Sequence, residues 1–422
     1  MYRKLVVAAA LLLGLGVGAL AAENPPLDTL LHSKSQPGHA TLERGRYLVK
    51  AGDCEACHTA PNGKSFAGGR VIPTPFGNLY STNITPDRGT GIGKWTLQDF
   101  YRAMHSGIDR QGNHLYPGFP YPWYTKVTGD DVKAIKAYLD TVKPVRKLNR
   151  PPGMSWPFTM RSGLAIWNKL YFDQGTFVGD PQKSAQWNRG AYLVRGLGHC
   201  GACHTAKNFA GATKASVAMQ GGFGENAFAP NLAGGLRDGL GGWSVAEIVE
   251  YLKTGSNDKS SAAGPMAEVV NDDTQYLTNA DLTAIATYLK DLPRMEPDAG
   301  SVADADVMKR GGGVYDDNCT GCHMEGGQGQ KGVFPPLKGS SAIQAQHAET
   351  LVRIVLDGAT VPATPMKPTG FQMPAFKEKL DDAQIAAVLS YIRSAWGNHA
   401  GAVSTGDVAN VRDQMKQQKG VP

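Results

Sequence analysis

The 422-residue sequence predicts a mostly α-helical protein made of three tandem units with long loops. Three observations predict this fold class. The pattern Cys-x-x-Cys-His occurs three times, and its copies contain all six cysteines of the chain. Each copy is followed by a long loop and then by a stretch with helical apolar spacing. The 52 glycines and 26 prolines indicate that much of the remaining chain forms turns and loops.

Each copy of the pattern has the spacing of a covalent c-type haem attachment site, in which two thiols bond the porphyrin and the histidine binds iron. The candidate attachment residues are Cys54, Cys57, Cys200, Cys203, Cys319 and Cys322. The candidate proximal iron ligands are His58, His204 and His323. Disulfides, zinc and a redox dithiol are alternatives, but none of them requires a histidine directly after the second cysteine. The sequence therefore predicts three haem c groups and electron transfer.

An internal repeat extends beyond these motifs. The stretch beginning at Arg44-Gly45 before the first motif corresponds to the one beginning at Arg189-Gly190 before the second, and a looser copy begins at Arg310. Each unit has the element order of a small cytochrome c domain. The expected segments are a signal peptide at 1–21, haem domains at 40–142, 188–291 and 307–398, linkers at 143–187 and 292–306, and a polar tail at 399–422.

The last helix of each unit is expected at 130–139, 280–289 and 382–393. Each stretch begins with a residue pair that is typical of a helix N-terminus, in which a side chain accepts a hydrogen bond from the backbone three residues later. These pairs are Thr128 with Asp131, Thr278 with Asp281, and Asp381 with Gln384.

The N-terminus indicates export from the cytoplasm. Arg3 and Lys4 precede an apolar run at 5–20, and Ala19-Leu20-Ala21 resembles a cleavage site. An uncleaved anchor is the alternative, although the run is short for a membrane-spanning helix. Removing the signal lowers the net charge from +6 by two, and haem propionates lower it further. A basic nucleic-acid surface is therefore not expected. The expected location is the periplasm.

The sixth iron ligand affects the potential of each haem, because methionine sulfur favours the reduced state. In the third unit Met373 stands in a Gln-Met-Pro loop before the last helix, with Met366 as a nearby competitor. In the second unit Met266 follows Gly264-Pro265, whereas Met219 is too close to the motif. The alternative for each is a methionine that only fills space in the core.

The first unit departs from this pattern. Counting from Trp95, as Met266 is counted from Trp243, leads to a place on or beside Phe119, and phenylalanine cannot bind iron. His114 is the nearest suitable donor and is the expected ligand. Met104 or His105 is the alternative, as is an open or weakly ligated iron.

The chain resembles the three-haem cytochrome c subunits of bacterial membrane-associated dehydrogenases for alcohol, gluconate, fructose, sorbitol and aldehydes. The resemblance covers nearly the whole mature chain. It is carried by the segments 80–87, 91–93, 116–121, 198–200, 334–337 and 395–398.

The resemblance implies that a separate dehydrogenase subunit oxidises the substrate with pyrroloquinoline quinone, flavin or a molybdenum cofactor. The cytochrome subunit would pass the electrons to ubiquinone, a terminal oxidase or another respiratory acceptor, at the periplasmic face of the inner membrane with peripheral membrane association. Two departures stand out. Family members often carry methionine where this chain has Phe119, and many continue into a C-terminal membrane-binding segment where a polar tail is expected here.

Two other function classes stay open. A free-standing periplasmic electron shuttle needs no dedicated dehydrogenase, but a shuttle also needs only one haem. A haem enzyme of the peroxidase type would use an open iron position, and the missing methionine in the first unit is its only support.

Overall fold

The computed structural model describes residues 38–295 and 300–419, so the signal peptide predicted at 1–21 lies outside the described residues. The described chain is rich in helix and has a small amount of strand. The helices of the first repeat and of the segment that follows it are α1 (His39–Ala51), α2 (Cys54–Cys57), α3 (Leu97–Ser106), α4 (Tyr121–Tyr124), α5 (Gly129–Leu139) and α6 (Gly163–Tyr171).

The later helices repeat this order. Those of the second repeat are α7 (Ala185–Arg195), α8 (Gly201–His204), α9 (Val245–Thr254), α10 (Pro265–Asp272) and α11 (Asn279–Lys290). Those of the third repeat and the C-terminal segment are α12 (Ala305–Asn318), α13 (Thr320–His323), α14 (Glu349–Asp357), α15 (Asp382–Ser394) and α16 (Thr405–Lys419).

The strands are short and lie in the loops between helices. They are β1 (Val71–Thr74), β2 (Gly77–Tyr80), β3 (Gly153–Met154), β4 (Gly222–Gly224), β5 (Ala227–Ala229), β6 (Ala359–Thr360) and β7 (Gln372–Met373). β1, β2 and β3 form one antiparallel sheet in that order, and the other four strands form two antiparallel pairs.

The helix before each motif crosses the last helix of its own repeat at a glycine. A Cβ atom added to Gly45, Gly190 or Gly311 would lie 2.0, 1.9 or 2.2 Å from a carbonyl oxygen of the partner helix. Real Cβ atoms do not approach so closely, so only glycine permits these three crossings. The repeated Arg-Gly dipeptide in the sequence therefore marks a close helix–helix contact.

The three predicted helix starts are confirmed. The hydroxyl groups of Thr128 and Thr278 accept hydrogen bonds from the backbone N–H groups three residues later. The Asp381 carboxylate does the same, and the Gln384 side chain accepts a hydrogen bond from the Asp381 N–H in return. These interactions satisfy N–H groups that would otherwise have no partner at a helix N-terminus.

The first and second repeats are joined by a reciprocal pair of tyrosine hydrogen bonds. Tyr47 of the first repeat donates to Asp281 of the second at 2.6 Å. Tyr192 of the second donates to Asp131 of the first at 2.5 Å. Within the repeats, Arg44 pairs with Asp131 and Arg189 with Asp281. Each helix-start aspartate is thus held by its own repeat and by the neighbouring one.

The hydrophobic cores follow the same division. One continuous core contains buried residues of both the first and the second repeat, including Leu48, Ile135 and Leu282. The third repeat has a core of its own around Tyr315 and Ile385. The first two repeats therefore pack as one body, and the third is built separately.

The second and third repeats meet through hydrogen bonds, ion pairs and the contact of the Phe223 and Phe228 rings with the His347 ring. The Thr350 hydroxyl group donates to the carbonyl oxygen of Phe228 and accepts from the N–H of that residue. Lys331 pairs with Asp258 at 2.7 Å, in an exposed position. This junction is more polar than the one between the first two repeats.

Two helices lie in segments that the sequence assigned to a linker and a polar tail. Helix α6 forms within the segment 143–187, which was expected to be a linker. Helix α16 forms within the expected polar tail, and it buries Val408 and Val411 in the core of the third repeat. Within the part of the chain that the structure describes, no helix has the length and apolar content that a bilayer crossing requires.

Candidate haem sites

The first motif forms a single helical turn that places its histidine beside a loop carbonyl. Helix α2 contains Cys54 and Cys57, and His58 follows it directly. The Nδ1 atom of His58 lies 2.6 Å from the carbonyl oxygen of Thr82. A histidine whose Nδ1–H donates to a carbonyl presents its Nε2 as a free ligand in a fixed orientation. Burial lowers the pKa of His58, which favours this neutral form.

The second and third motifs repeat this arrangement. The Nδ1 atom of His204 lies 2.7 Å from the Pro230 carbonyl oxygen, and that of His323 lies 3.1 Å from the Pro335 carbonyl oxygen. Burial lowers the pKa of both imidazoles, against the effect of their hydrogen bonds. The Nδ1 atom of each candidate proximal histidine thus lies at hydrogen-bond distance from a backbone carbonyl oxygen in the loop that follows the motif.

None of the six cysteines is paired in a disulfide. Burial raises the pKa of both Cys54 and Cys200 to about 12, which disfavours the thiolate that a redox dithiol or zinc ligand requires. Among the described residues, no group of three His, Cys, Asp or Glu side chains is arranged to hold a metal ion.

A cavity of about 660 Å³ opens beside the first motif. Cys54, Cys57 and His58 form one part of its wall. Apolar side chains form most of the remainder, including Ile92, Trp95, Phe100, Ile135 and Leu139. A largely apolar cavity with two thiols and a neutral imidazole at its wall suits a porphyrin bound through its edge and its iron. The residues present therefore fit a c-type haem.

Equivalent hydrogen bonds in the loops after α3 and α9 show which residues of the first and second repeats correspond. The N–H of Leu115 donates to Gly107 O at 2.7 Å, and the N–H of Ala262 donates to Gly255 O at the same distance. Four residues beyond Leu115 is Phe119, and four residues beyond Ala262 is Met266. Phe119 therefore occupies the loop position of Met266, and it lines the cavity of the first motif.

The candidate sixth ligands of the first site differ in their relation to this cavity. Met104, on α3, is buried and lines it. His114 is not among the lining side chains; its Nδ1 is buried without a hydrogen-bond partner. His105 is also absent from the lining and stacks on Tyr101, with 3.9 Å between ring centroids. The structure thus brings Met104 to the cavity wall and leaves His114 on the adjacent loop.

The two other candidate methionines both precede the last helix of their repeat. Met266 is the second residue of α10 and is half-buried against the small apolar cluster of Ala262, Ala267 and Val270. Met373 lies in β7 and packs on the core of the third repeat, whereas its competitor Met366 is exposed. Met219 is buried in the shared core of the first two repeats.

Comparison with known proteins gives consistent matches over most of the chain. A model of the cytochrome c family matches residues 308–396. The cytochrome c subunit of a quinone-dependent alcohol dehydrogenase from Gluconacetobacter polyoxogenes is 38% identical over 417 residues, which cover 94% of this chain and 87% of that protein. The gluconate 2-dehydrogenase cytochrome c subunit of Pantoea cypripedii is 40% identical, with 89% of this chain and 90% of that protein covered.

A third relative, the fructose dehydrogenase cytochrome subunit of Gluconobacter japonicus, is 36% identical over 95% of this chain and 87% of its own length. The chain belongs to the family of dehydrogenase cytochrome c subunits. This membership confirms the resemblance seen in the sequence, and it supports haem c as the cofactor and electron transfer as the role.

In this cytochrome subunit the first two motifs lie side by side. The hydroxyl group of Tyr124 donates to the carbonyl oxygen of Gly52, two residues before Cys54. The same tyrosine ring lies 5.7 Å from the ring of His199, which precedes Cys200. One aromatic side chain thus spans the short distance between the two attachment sites.

Buried acidic groups, which the sequence did not indicate, also lie near these two motifs. Burial, together with neighbouring carboxylates such as Asp272, raises the pKa of Asp53, next to Cys54, to about 7. Burial likewise raises the pKa of Asp273 well above its usual value. Both shifts favour the protonated carboxyl groups and so lessen the negative charge beside the attachment sites.

Two arginines in the lining of the first cavity were also not anticipated. They are Arg150 and Arg161. The Arg150 guanidinium group lies 4.0 Å from the centre of the Tyr80 ring, and that of Arg161 lies 5.4 Å from the centre of the Tyr116 ring. Cations that line a haem cavity are suited to pair with propionate groups. Both residues come from the segment after the first repeat, so only the folded chain brings them to the first motif.

Proposed function

We propose that this chain carries three covalent c-type haems and relays electrons from a partner dehydrogenase to ubiquinone or another respiratory acceptor. The observation that carries the proposal is the threefold motif whose histidine is held each time through Nδ1 by a backbone carbonyl. Haem iron held in this way supplies one-electron transfer without the protein having to supply a reacting group. The protein's part is to fix, bury and space the three sites.

The proposed architecture is three tandem cytochrome c domains at 40–142, 188–291 and 307–398. The three glycine crossings, one in each repeat, support it. The proposed attachment residues are the six cysteines, and the proposed proximal ligands are His58, His204 and His323. Met266 and Met373 are the proposed sixth ligands of the second and third haems, because both precede the last helix of a repeat.

At the first haem we retain His114 as the proposed sixth ligand and take Met104 as the competing one, since Met104 lines the cavity. A histidine ligand would give this haem a lower potential than its neighbours, and a methionine ligand would not. The two possibilities predict different electron orders along the chain.

Haem number has a direct test. The intact, exported chain should have the mass of the polypeptide plus three haems. Replacing Cys200 and Cys203 by serine should leave two haems, and the same change at Cys319 and Cys322 should also leave two. A chain that keeps three haems after either change, or that never carries more than one, would contradict the proposal.

The dehydrogenase partner requires a separate test in the native organism. A mild-detergent extract of the membrane should yield this cytochrome in fixed ratio with a larger subunit that contains flavin, pyrroloquinoline quinone or molybdenum. The family relatives named above are subunits of such enzymes, which supports this expectation. Recovery of the cytochrome alone from the soluble fraction would favour the free electron shuttle instead.

A haem enzyme of the peroxidase type is the second candidate, and Phe119 at the position of a ligand methionine is the observation that favours it. An open iron should bind carbon monoxide rapidly in the reduced protein, in a ratio of about one per chain. Three six-coordinate, low-spin haems that exclude carbon monoxide would remove this candidate.

A further inference from the structure

The segment from β6 to β7 of the third repeat forms a hairpin that carries Met373 at one end. Ala359 pairs with Met373 across the two strands. At the far end, Thr364 and Lys367 exchange backbone hydrogen bonds at 2.9 and 3.0 Å. We call residues 359–373 the Met373 hairpin. Because its two arms are hydrogen-bonded to each other, the position of its tip affects the position of Met373.

The tip of the Met373 hairpin is attached to the second repeat by one side chain. The Lys367 ammonium group donates to the Glu250 carboxylate and to the carbonyl oxygen of Ser256, both at 2.8 Å. It also lies 3.3 Å from the Ser256 hydroxyl oxygen. An ammonium group has three N–H donors, and here each has an acceptor on the second repeat. The Lys367 side chain is 30% exposed, so these bonds are partly withdrawn from solvent.

Ser256 belongs to the loop that leads to Met266. We call residues 255–264, which follow α9, the Met266 loop. Ser256 pairs with Ser261 across this loop, and the pairing keeps its two sides together. Ala262 of the loop lies in the small apolar cluster against which Met266 packs. A contact at Ser256 therefore affects the placement of Met266.

Comparison with the first repeat shows that the Met373 hairpin completes the second. A Cβ atom added to Gly107 would lie 2.7 Å from the ring of Tyr121. One added to Gly255, the equivalent glycine of the second repeat, would lie 2.8 Å from the ring of Pro362. Tyr121 belongs to the first repeat itself, whereas Pro362 belongs to the Met373 hairpin. The third repeat thus covers a position in the second that the first repeat covers with its own side chain.

We propose that Lys367 is a positioning residue that holds the sixth ligands of both the second and the third haem. The inference rests on the proposed function, because it takes Met266 and Met373 as those ligands. Lys367 acts through the Met266 loop and the Met373 hairpin, since its ammonium group is engaged by Glu250 and Ser256. Bonds from a charged donor are stronger than neutral ones, which suits a contact that must fix two loops.

The consequence is that the two haems depend on each other for their ligands. A neutral thioether sulfur is a weak donor, so the loop that carries it must keep it close to the iron. When the contact at Lys367 is lost, both loops gain freedom, and each iron is without its sulfur for a larger fraction of the time. A lysine that only stabilised the fold would not change the two ligands together.

The test uses the full haem-loaded chain and two readouts of the sixth ligand. These are the near-infrared absorbance that sulfur ligation gives to ferric haem, and the rate at which carbon monoxide binds the reduced protein after methionine leaves the iron. Lys367→Ala should raise that rate about tenfold at two haems, because charged hydrogen bonds are lost. The paramagnetic spectrum of the first haem should not change. Lys367→Arg, which keeps the charge and the donors, should bring the rate back to within about threefold.

A second variant weakens the same contact from the other side. Glu250→Gln removes the carboxylate but leaves the bond from Lys367 to the Ser256 carbonyl oxygen. It should raise the carbon monoxide rate at the same two haems by about threefold, because one charged partner is lost. This variant keeps the test decisive if Lys367→Ala does not fold, which helical circular dichroism would show.

Two controls disturb the same junction without contacting the Met373 hairpin. Thr350→Val removes the hydrogen bonds to Phe228, and Lys331→Ala removes an exposed pair with Asp258. Both should leave the near-infrared absorbance and the carbon monoxide rates as in the unchanged chain.

Three results would overturn the inference alone: no change in Lys367→Ala, a change at only one of the two haems, or an equal change in either control. If the unchanged chain lacks the near-infrared absorbance, the methionine ligands of the proposed function are wrong, and the inference falls with them.

Discussion

Gly311 offers a quantitative test of the helix crossings, because the same helix contains a matched control. A methyl group added at Gly311 would lie 2.2 Å from the carbonyl oxygen of Ala387 and 2.8 Å from the Cβ of Tyr391. Helices α12 and α15 must then separate by roughly 1 Å, since Cβ contacts below about 3 Å are not tolerated. Gly313, two residues along α12, has nothing within 4 Å of its added Cβ atom.

The two substitutions should therefore change the free energy of unfolding in opposite directions. Replacing glycine by alanine inside a helix stabilises it by about 1 kcal/mol. At Gly313 this gain stands alone. At Gly311 it is outweighed by an overpacking cost of about 3 kcal/mol, the upper end of the usual range, because the obstacle is rigid backbone. We expect Gly311→Ala to lose about 2 kcal/mol, so that the variants differ by about 3 kcal/mol.

The measurement is urea unfolding at 25 °C, followed by helical circular dichroism and by the absorbance of the methionine-bound ferric haem. The midpoint of the third repeat should fall for Gly311→Ala and rise for Gly313→Ala, with the transition of the first two repeats unchanged, because the cores are separate. Equal midpoints for the two variants would refute the steric reasoning, and so would a fall for both.

Further predictions concern the ligands, the acid response and the junction between repeats. Phe119→Met should add a third sulfur-bound haem, seen as an increase of about half in the near-infrared absorbance that sulfur ligation gives to ferric haem. His114→Ala should change the paramagnetic spectrum of one haem only; unchanged spectra, together with an altered spectrum for Met104→Leu, would assign the ligand to the methionine. Although burial raises the pKa of Asp281, hydrogen bonds from its partners outweigh this and hold the pKa below its usual value. The stability that the Asp281 carboxylate contributes is present above about pH 4 and is lost as the pH falls through the pKa of this group in the folded protein. In the Asp281→Asn variant the melting temperature should therefore fall less steeply as the pH is lowered. Tyr192→Phe should lower the free energy of unfolding of the first two repeats by about 2 kcal/mol, measured in urea, because it leaves a buried carboxylate with one hydrogen bond fewer; no change would show that the contact is not stabilising.

The sequence predicted correctly the features that depend on residues close together in the chain. The helix starts at Thr128, Thr278 and Asp381 depend on side chains that bond to the backbone three residues away, and all three form as expected. The Arg-Gly repeat was visible, but its reason was not. Only the folded chain shows that Gly45 must admit a carbonyl oxygen of α5.

Tertiary contacts explain what the sequence did not indicate. Helix α6 lies among prolines and has no buried residue, and it is attached to both repeats through Trp167 and Asn168. Helix α16 is almost wholly polar, and Val408 and Val411 alone do not reveal a core-facing side. The placement of Met104 in the cavity also depends on how α3 packs, which spacing along the chain cannot give.

The two kinds of junction have different consequences for electron transfer. The first two repeats share an apolar core, and each donates a tyrosine hydrogen bond to an aspartate of the other, so the distance between their motifs is fixed. Because these contacts are largely buried, salt has little effect on them. The third repeat meets the second through exposed ion pairs such as Lys331 with Asp258, which are screened as ionic strength rises. If the chain is the relay that we propose, exchange between the first two haems should be insensitive to salt, and the step to or from the third should respond to it. Electron transfer across the junction between the second and third repeats, which have separate cores, would then be the step most sensitive to solution conditions.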